Sequence, residues 1–325
     1  MSKKSVAERR QTSGRGGAGG RNGSGSGPGG RGSGRSSSRR QQRGQKGRPW
    51  AVFASIGGVV AVFVIVIVLL EVTAPSSGQD TQVLPAPASV VSAVTKVPNS
   101  ALAKVGAGEI NYPPQAISGY PKLTQNGKPE VLYIGAEYCP YCALERWSLI
   151  GALSRFGRFS NLKIIRSSVT DPAGPNIPTF TFAHGVTYSS RYVAFVAREI
   201  FSNVPDSKTS VGYAPFQTMT KSETSLFTNP KLANGGFPFV DFGGVVAQIG
   251  SESANAGPHP QPGPPALSNL SWQQVAHDLS NLKSSQAQMI LGGINYDTAA
   301  ICKITGNKPG SVCGQSVIKQ LEAGL

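Results

Sequence analysis

The feature that most limits what this 325-residue chain can fold into is Cys139-Pro140-Tyr141-Cys142, placed where an apolar strand gives way to a helix. Val131-Leu132-Tyr133-Ile134-Gly135 is a short run rich in β-formers. Leu144, Trp147, Leu149, Ile150, Leu153 and Phe156 then follow at spacings that predict an amphipathic helix over about 140–156. Two thiols in C-x-x-C spacing at a helix start carry a specific chemistry. The first sulfur lies among unsatisfied backbone N–H groups at the positive end of the helix dipole, which favours thiolate over thiol. The second lies about one turn on, close enough to attack a mixed disulfide and release it. This is the layout of a thiol–disulfide exchange site.

C-x-x-C alone also reads as half a zinc site, which needs two further ligands, usually a second close C-x-x-C or a His pair. The other cysteines, Cys302 and Cys313, are far away with ten residues between them. His184, His259 and His277 are scattered and form no H-x-x-x-H spacing. No metal and no cofactor is therefore expected. A redox-active dithiol is the leading reading, and a static disulfide between Cys139 and Cys142 is its bland alternative.

The N-terminal region divides sharply by composition. Residues 1–49 are Gly, Ser and Arg with almost no apolar side chains, and such a segment cannot bury enough surface to fold. They hold 13 of the chain's 31 Lys and Arg against one acid, Glu8, so the remainder carries 18 basic and 15 acidic residues, a net of +3. The overall charge of +15 thus belongs to the tail. An uncharged run, Trp50 to Leu70, follows. About 20 residues at 1.5 Å each span a hydrocarbon core of roughly 30 Å. Trp50 suits the interface, and the basic cluster before it predicts a cytoplasmic N-terminus, with the chain from Glu71 onward outside.

A cleaved signal peptide is the competing reading, but its apolar region is normally shorter and its cleavage site close by. Here Pro75 follows Ala74, and the A-x-A at Ala86-Pro87-Ala88 lies too far downstream. The expectation is a single-pass anchor in the cell membrane. The Arg/Gly tail invites an RNA-binding reading, yet it lacks aromatic residues to stack on bases. A flexible tail touching anionic headgroups is the simpler account, and nucleic acid is not expected as a partner. Outside the cytoplasm, paired cysteines are normally disulfides or catalysts of disulfides. Four cysteines still permit three pairings.

Residues 71–96, rich in Pro, Ser, Ala, Thr and Val, read as an extended linker, and 97–325 as one extracytoplasmic domain. After a lead-in at 102–123, the strand at 131–135 and the helix at 140–156, Asn161–Ser168 reads as a second strand. A β–α–β unit implies that this strand lies parallel to the first. Thr179–Phe182 and Tyr192–Ile200 look extended, with helix the alternative for the second, and Ser222–Phe227 reads as a short helix. Within Gly235–Ile249, two apolar strands flank Gly243-Gly244, which predicts a β-hairpin, with Pro238 opening its first strand. The Pro/Gly segment 250–269 reads as loop. Ser271 with Gln274 forms a capping box ahead of Trp272, Val275, Leu279 and Leu282 at helical spacing, with Trp272 assigned to the core.

Strand, C-P-Y-C, helix, strand, then X-Pro before a hairpin and a final helix resembles the thioredoxin fold, an α/β architecture. Ala136-Glu137-Tyr138-Cys139 looks like the Ala-Glu-Trp-Cys of thioredoxins, and Cys-Pro-Tyr-Cys is the glutaredoxin tetrapeptide. More closely, Glu137–Trp147, Gly236–Gly243 and Ala300–Lys303 resemble an uncharacterised family of membrane-anchored bacterial and archaeal thioredoxin-like proteins, over roughly residues 97–315. The resemblance implies that the Phe237–Pro238 bond is cis, that this loop faces the dithiol, and that its backbone receives extended substrate peptide. Two departures stand out. Thioredoxins keep a buried Asp six residues before the first active cysteine; Tyr133 stands there, so proton transfer would need Glu137, Glu145 or water. About 65 residues separate the second strand from Pro238, implying an insertion before the cis-Pro strand like that of the periplasmic disulfide oxidases.

Cys302 and Cys313 enclose a Gly/Pro-rich loop, and no C-x-x-C helix start marks either as a nucleophile. A structural disulfide there would stabilise the domain by roughly 2–3 kcal/mol on the chain-entropy model. A second redox pair relaying electrons is the alternative. The leading functional expectation is a membrane-anchored extracytoplasmic oxidoreductase, with Cys139 attacking, Cys142 resolving, Phe237 and Pro238 holding substrate, and Pro140, Tyr141 and Glu137 tuning the dithiol. Its partners would be exported protein thiols and disulfides and a membrane redox partner. The alternative is a non-catalytic thioredoxin-like binding module at the cell surface. No G-x-S-x-G, H-E-x-x-H or G-x-x-x-x-G-K-[ST] supports another chemistry.

Overall fold

A computed structural model describes residues 78–250 and 263–325. The basic tail, the apolar run 50–70 and the first part of the linker lie outside the described residues. Among the described residues no helix is long and apolar enough to cross a membrane.

The first elements are β1 (Leu84–Pro85), α1 (Ala88–Thr95) and α2 (Asn99–Val105). Here the linker reading of 71–96 gives way. Val90 and Val94, one turn apart on α1, are buried in the main core, and β1 pairs with a later strand. A two-valine face in a Pro- and Ser-rich stretch is too short to register as a helical period.

Next come β2 (Gln115–Ala116), β3 (Thr124–Gln125), β4 (Lys128–Ala136), which contains the expected strand, and α3 (Pro140–Ser154). Four short strands follow: β5 (Gly157–Ser160), β6 (Lys163–Arg166), β7 (Pro178–Thr181) and β8 (Thr187–Ser190). The 12-residue β9 (Ala194–Pro205), β10 (Tyr213–Pro215) and α4 (Lys221–Phe227) lead to the hairpin strands β11 (Phe239–Phe242) and β12 (Val246–Ile249). A 3-10 turn at Pro264–Leu267 precedes α5 (Trp272–Asp278), α6 (Ser285–Ile304), α7 (Gly310–Cys313) and α8 (Ser316–Glu322).

The result is a mixed α/β fold around a mixed sheet of order β10-β9-β4-β11-β12-β2, with β3 also pairing β4. β4 runs parallel to β9 and antiparallel to β11. The expected parallel partner is therefore corrected: the strand at 161–168 corresponds to β6, which lies in a separate sheet between β1 and β7, antiparallel to both. β9 runs beside β4 from Glu130↔Ala194 to Ala136↔Phe201, a length that a four-residue strand cannot match. The inserted strands β5 to β8 thus fall inside the crossover between α3 and β9.

The hairpin is as expected. Gly243 and Gly244 have φ +67° and +68°, the positive values a primed two-residue turn requires, and Val245 N–H donates to the Phe242 carbonyl at 3.1 Å. The expected capping box at Ser271/Gln274 forms in full, and the short helix expected at 222–227 carries a second one, Thr220/Glu223, that was not anticipated.

The dithiol helix α3 departs from the expected amphipathic pattern. Every residue from Cys142 to Leu153 is buried, including Glu145, Arg146 and Ser148. It is enclosed by α6, β7 and α1. The chief partner, α6, went unread because Gly292, Gly293, Asn295 and Thr298 weaken its helical signal. Two of those residues serve packing. A Cβ on Gly292 would meet the Ala107 carbonyl oxygen at 2.6 Å, so α2 and α6 approach closely only with glycine there. Asn295 Nδ2 donates to the carbonyls of Leu102 and Gly106 at 2.9 and 2.8 Å, closing the end of α2.

Candidate active site

Cys139 is the N-cap of α3, with Pro140 at the first helical position, where a missing N–H costs nothing. Its Sγ accepts the backbone N–H of Cys142 at 3.2 Å, and its own N–H donates to the Ala136 carbonyl at the end of β4. Both cysteines are free thiols. Burial pushes the Cys142 thiol well above its ordinary range, helped by the hydrogen bond and charge of Cys139 and opposed by Arg146. The expected order of access holds in a weak form, since Cys139 is 4 % exposed and Cys142 is fully buried.

The cover over Cys139 is aromatic. Tyr138, Tyr141, Phe201 and Phe237 pack against the two cysteines. Tyr138 stacks on Tyr213 with centroids 4.2 Å apart and rings 7° from parallel, and meets Phe237 edge-on at 6.0 Å. Tyr213 is fixed by a 2.5 Å hydrogen bond to Ser168 Oγ. The Phe237–Pro238 peptide bond is cis. β11, starting one residue later, lies antiparallel to β4 with Phe239 opposite Ile134, and this register brings Phe237 onto the dithiol. Pro238 is buried, and its carbonyl accepts the Gly250 N–H at 2.8 Å.

Beneath the thiols lies a polar layer that sequence reasoning missed. Arg146, fully buried, donates from Nε and Nη2 to the two carboxylate oxygens of Glu199, each at 2.9 Å, and Nη2 also reaches the Ala136 carbonyl at 2.6 Å. Tyr133 is fully buried beside it, with its ring edge-on to Phe182 at 4.9 Å. A charged residue one turn after Cys142, inside an otherwise apolar helix, was the available signal. Its partner on β9 was not legible, because β9 was not recognised as the neighbour of β4.

Glu137 does not serve the dithiol directly. Its carboxylate accepts from Thr181 Oγ1 at 2.6 Å and pairs with His184 Nε2 at 3.0 Å. Glu145, the other residue considered for proton transfer, is buried on α3 and interacts electrostatically with Asp297 of α6.

The second pair forms a disulfide. Cys302 of α6 and Cys313 of α7 are bridged with Cα atoms 5.6 Å apart, both buried in the main core. Among the described residues no group of three or more His, Cys, Asp or Glu is placed to hold a metal ion.

Residues 117–204 match a family described as "Domain of unknown function (DUF929)", 88 of the 325 residues. That stretch includes Cys139, Cys142, Arg146 and Glu199 but not Pro238 or the Cys302–Cys313 bridge. No curated protein and no solved structure matches the chain.

Proposed function

We propose that this chain is a thioredoxin-like thiol–disulfide oxidoreductase, anchored in the cell membrane by residues 50–70 and acting on exported proteins. The observation that carries the reading is the placement of Cys139 at the N-cap of α3, with its Sγ receiving the Cys142 N–H. The order β9-β4-β11-β12, with β4 parallel to β9 and a cis-Pro loop entering β11, supports a thioredoxin-like core. The basic tail and apolar run support an extracytoplasmic site, where exchange has substrates.

In the forward direction the Cys139 thiolate attacks a substrate disulfide, forming a mixed disulfide and releasing one substrate thiol. Cys142 then attacks Cys139 Sγ, releasing the second substrate thiol and leaving Cys139–Cys142 oxidised. Two electrons pass from dithiol to substrate, and the reverse sequence oxidises a substrate dithiol. A glutaredoxin-like tetrapeptide suggests a potential of roughly −200 to −230 mV, which favours oxidation or isomerisation of exported proteins, with a membrane redox partner resetting the pair. Phe237 and Pro238 would hold the substrate peptide beside Cys139.

The second reading, a binding module without catalysis, draws on one observation: Cys139 is nearly covered by aromatic side chains. Trapping separates the two. Cys142→Ser should accumulate mixed disulfides with exported proteins, since attack proceeds and resolution does not, whereas Cys139→Ser should trap none. A reduced Cys139 that resists alkylation, together with an empty Cys142→Ser trap, would sink the enzyme reading.

A further inference from the structure

Cys142 raises a chemical problem that its neighbours answer. To resolve a mixed disulfide it must become a thiolate in a site with no exposed surface. An anion there needs donors aimed at it, because water cannot supply them.

Arg146 stands four residues after Cys142 on α3, so the two share a helix face. Long side chains on helices lean toward the N-terminus, which carries the guanidinium back over the turn that holds Cys142. Its bond to the Ala136 carbonyl shows the result, since that carbonyl also accepts the Cys139 N–H. Glu199 fixes Nε and Nη2, while Nη1 is buried with no hydrogen-bond partner. The Tyr133 hydroxyl is likewise buried with no partner. Buried donors are normally satisfied, so two open ones in electrostatic contact with the same thiol require an explanation. The other acids do not supply it. Glu137 is engaged by Thr181 and His184, and Glu145 faces Asp297.

We infer that Arg146 and Tyr133 are the thiolate-stabilising pair for Cys142, with Glu199 as the residue that positions Arg146. The inference rests on the exchange reading above. As Cys142 gives up its proton, which the departing substrate thiolate takes up, the Nη1 edge of Arg146 and the Tyr133 hydroxyl donate to the sulfur. Cys142 Sγ then bonds to Cys139 Sγ while the bond from Cys139 to substrate breaks. A fixed cation and a phenol thus occupy the place where a carboxylate would serve as base.

The test uses the reduced full chain in detergent with 5,5′-dithiobis(2-nitrobenzoate). The first nitrothiobenzoate released reports attack by Cys139, and the second reports attack by Cys142 on the mixed disulfide. Tyr133→Phe removes an oxygen that bonds nothing in the fold, so folding should be kept. It should leave the first release unchanged and slow the second at least about tenfold, as expected for a lost bond to a charged group. Arg146→Met with Glu199→Gln, which leaves neither charge buried alone, should slow the second release about a hundredfold and move its pH midpoint upward. A merely structural role would move neither the second phase alone nor its pH profile. Second release at the wild-type rate in Tyr133→Phe, across the pH range, overturns the inference while exchange itself survives. If the wild type releases no nitrothiobenzoate at all, the exchange reading fails and takes this inference with it.

Discussion

Cys139 and Cys142 stand as free thiols at the start of α3, whereas Cys302 and Cys313, eleven residues apart, are bridged between α6 and α7. The first pair has a helix N-terminus, a polar layer behind it and aromatic rings in front. The second has no cap role and is packed among core side chains. The same side-chain chemistry therefore receives two environments. One has a buried cation on the helix that carries it, and the other lies in the apolar core and closes a chain loop. The helix that carries Cys142 is packed against the helix that carries Cys302, so the pairs share an interface without sharing a site.

Breaking the bridge tests that separation most strongly. Replacing both Cys302 and Cys313 by Ser should lower stability by about 3 kcal/mol, the chain-entropy value for a loop of this size. For a domain of this length that corresponds to a fall in Tm of roughly 6–12 °C. Exchange at Cys139 should continue below the new midpoint. Calorimetry and the trapping assay on one preparation would check both halves. A folded double variant that has lost exchange would instead reveal a relay from Cys302–Cys313 to Cys139–Cys142.

The shared interface can be probed at Asp297. Both of its carboxylate oxygens are buried without a hydrogen-bond partner on α6, and burial, reinforced by the charge of Glu145, pushes its carboxyl well above the usual range. An acid whose folded value is raised contributes stability that is complete below its unfolded value of about 4 and is lost as pH rises through the folded value. Wild-type stability should therefore fall with rising pH more steeply than that of Asp297→Asn, which cannot ionise. The variant should match the wild type near pH 4 and be the more stable of the two at pH 8. Urea denaturation at the two pH values measures the difference. Equal slopes would mean that the Asp297 carboxyl ionises as readily in the folded chain as in the unfolded one.

The dithiol, its strand and its helix were legible because Cys139-Pro140-Tyr141-Cys142 interrupts two strong hydrophobic patterns. The hairpin was legible because Gly243-Gly244 is turn chemistry with one structural use. The sheet order was not. Adjacency in the chain suggested β6 beside β4, but the long β9 offers more pairing, and such competition among strands is settled by length and burial across the whole sheet. The polar layer followed the same limit. Arg146 was visible as a charge in an apolar helix, while Glu199 gained meaning only when β9 was placed beside β4. α6 stayed hidden because its glycines serve a close approach to α2 that no local pattern displays.

The smallest expected effect concerns how the dithiol loop is tied to the inserted strands. Glu137, two residues before Cys139, is held by Thr181 at the end of β7 and by His184 just beyond it. The hydrogen bond to Glu137 holds the His184 imidazolium above its ordinary value of 6.5, against partial burial that works the other way. A histidine with a raised folded value contributes stability that is fully present below about pH 6.5 and is lost as pH climbs through the folded value. Because the His184 side chain is 32 % exposed, solvent screening keeps that contribution under about 1 kcal/mol. His184→Gln, which retains a donor but no charge, should therefore be less stable than the wild type at pH 5.5 and nearly equal to it at pH 8.5. The difference should shrink further in high salt, as an ion pair at a partly exposed site requires. A stability gap that is the same at both pH values would show that His184 acts as a neutral hydrogen-bonding group, and the dithiol loop would then be tied by geometry alone.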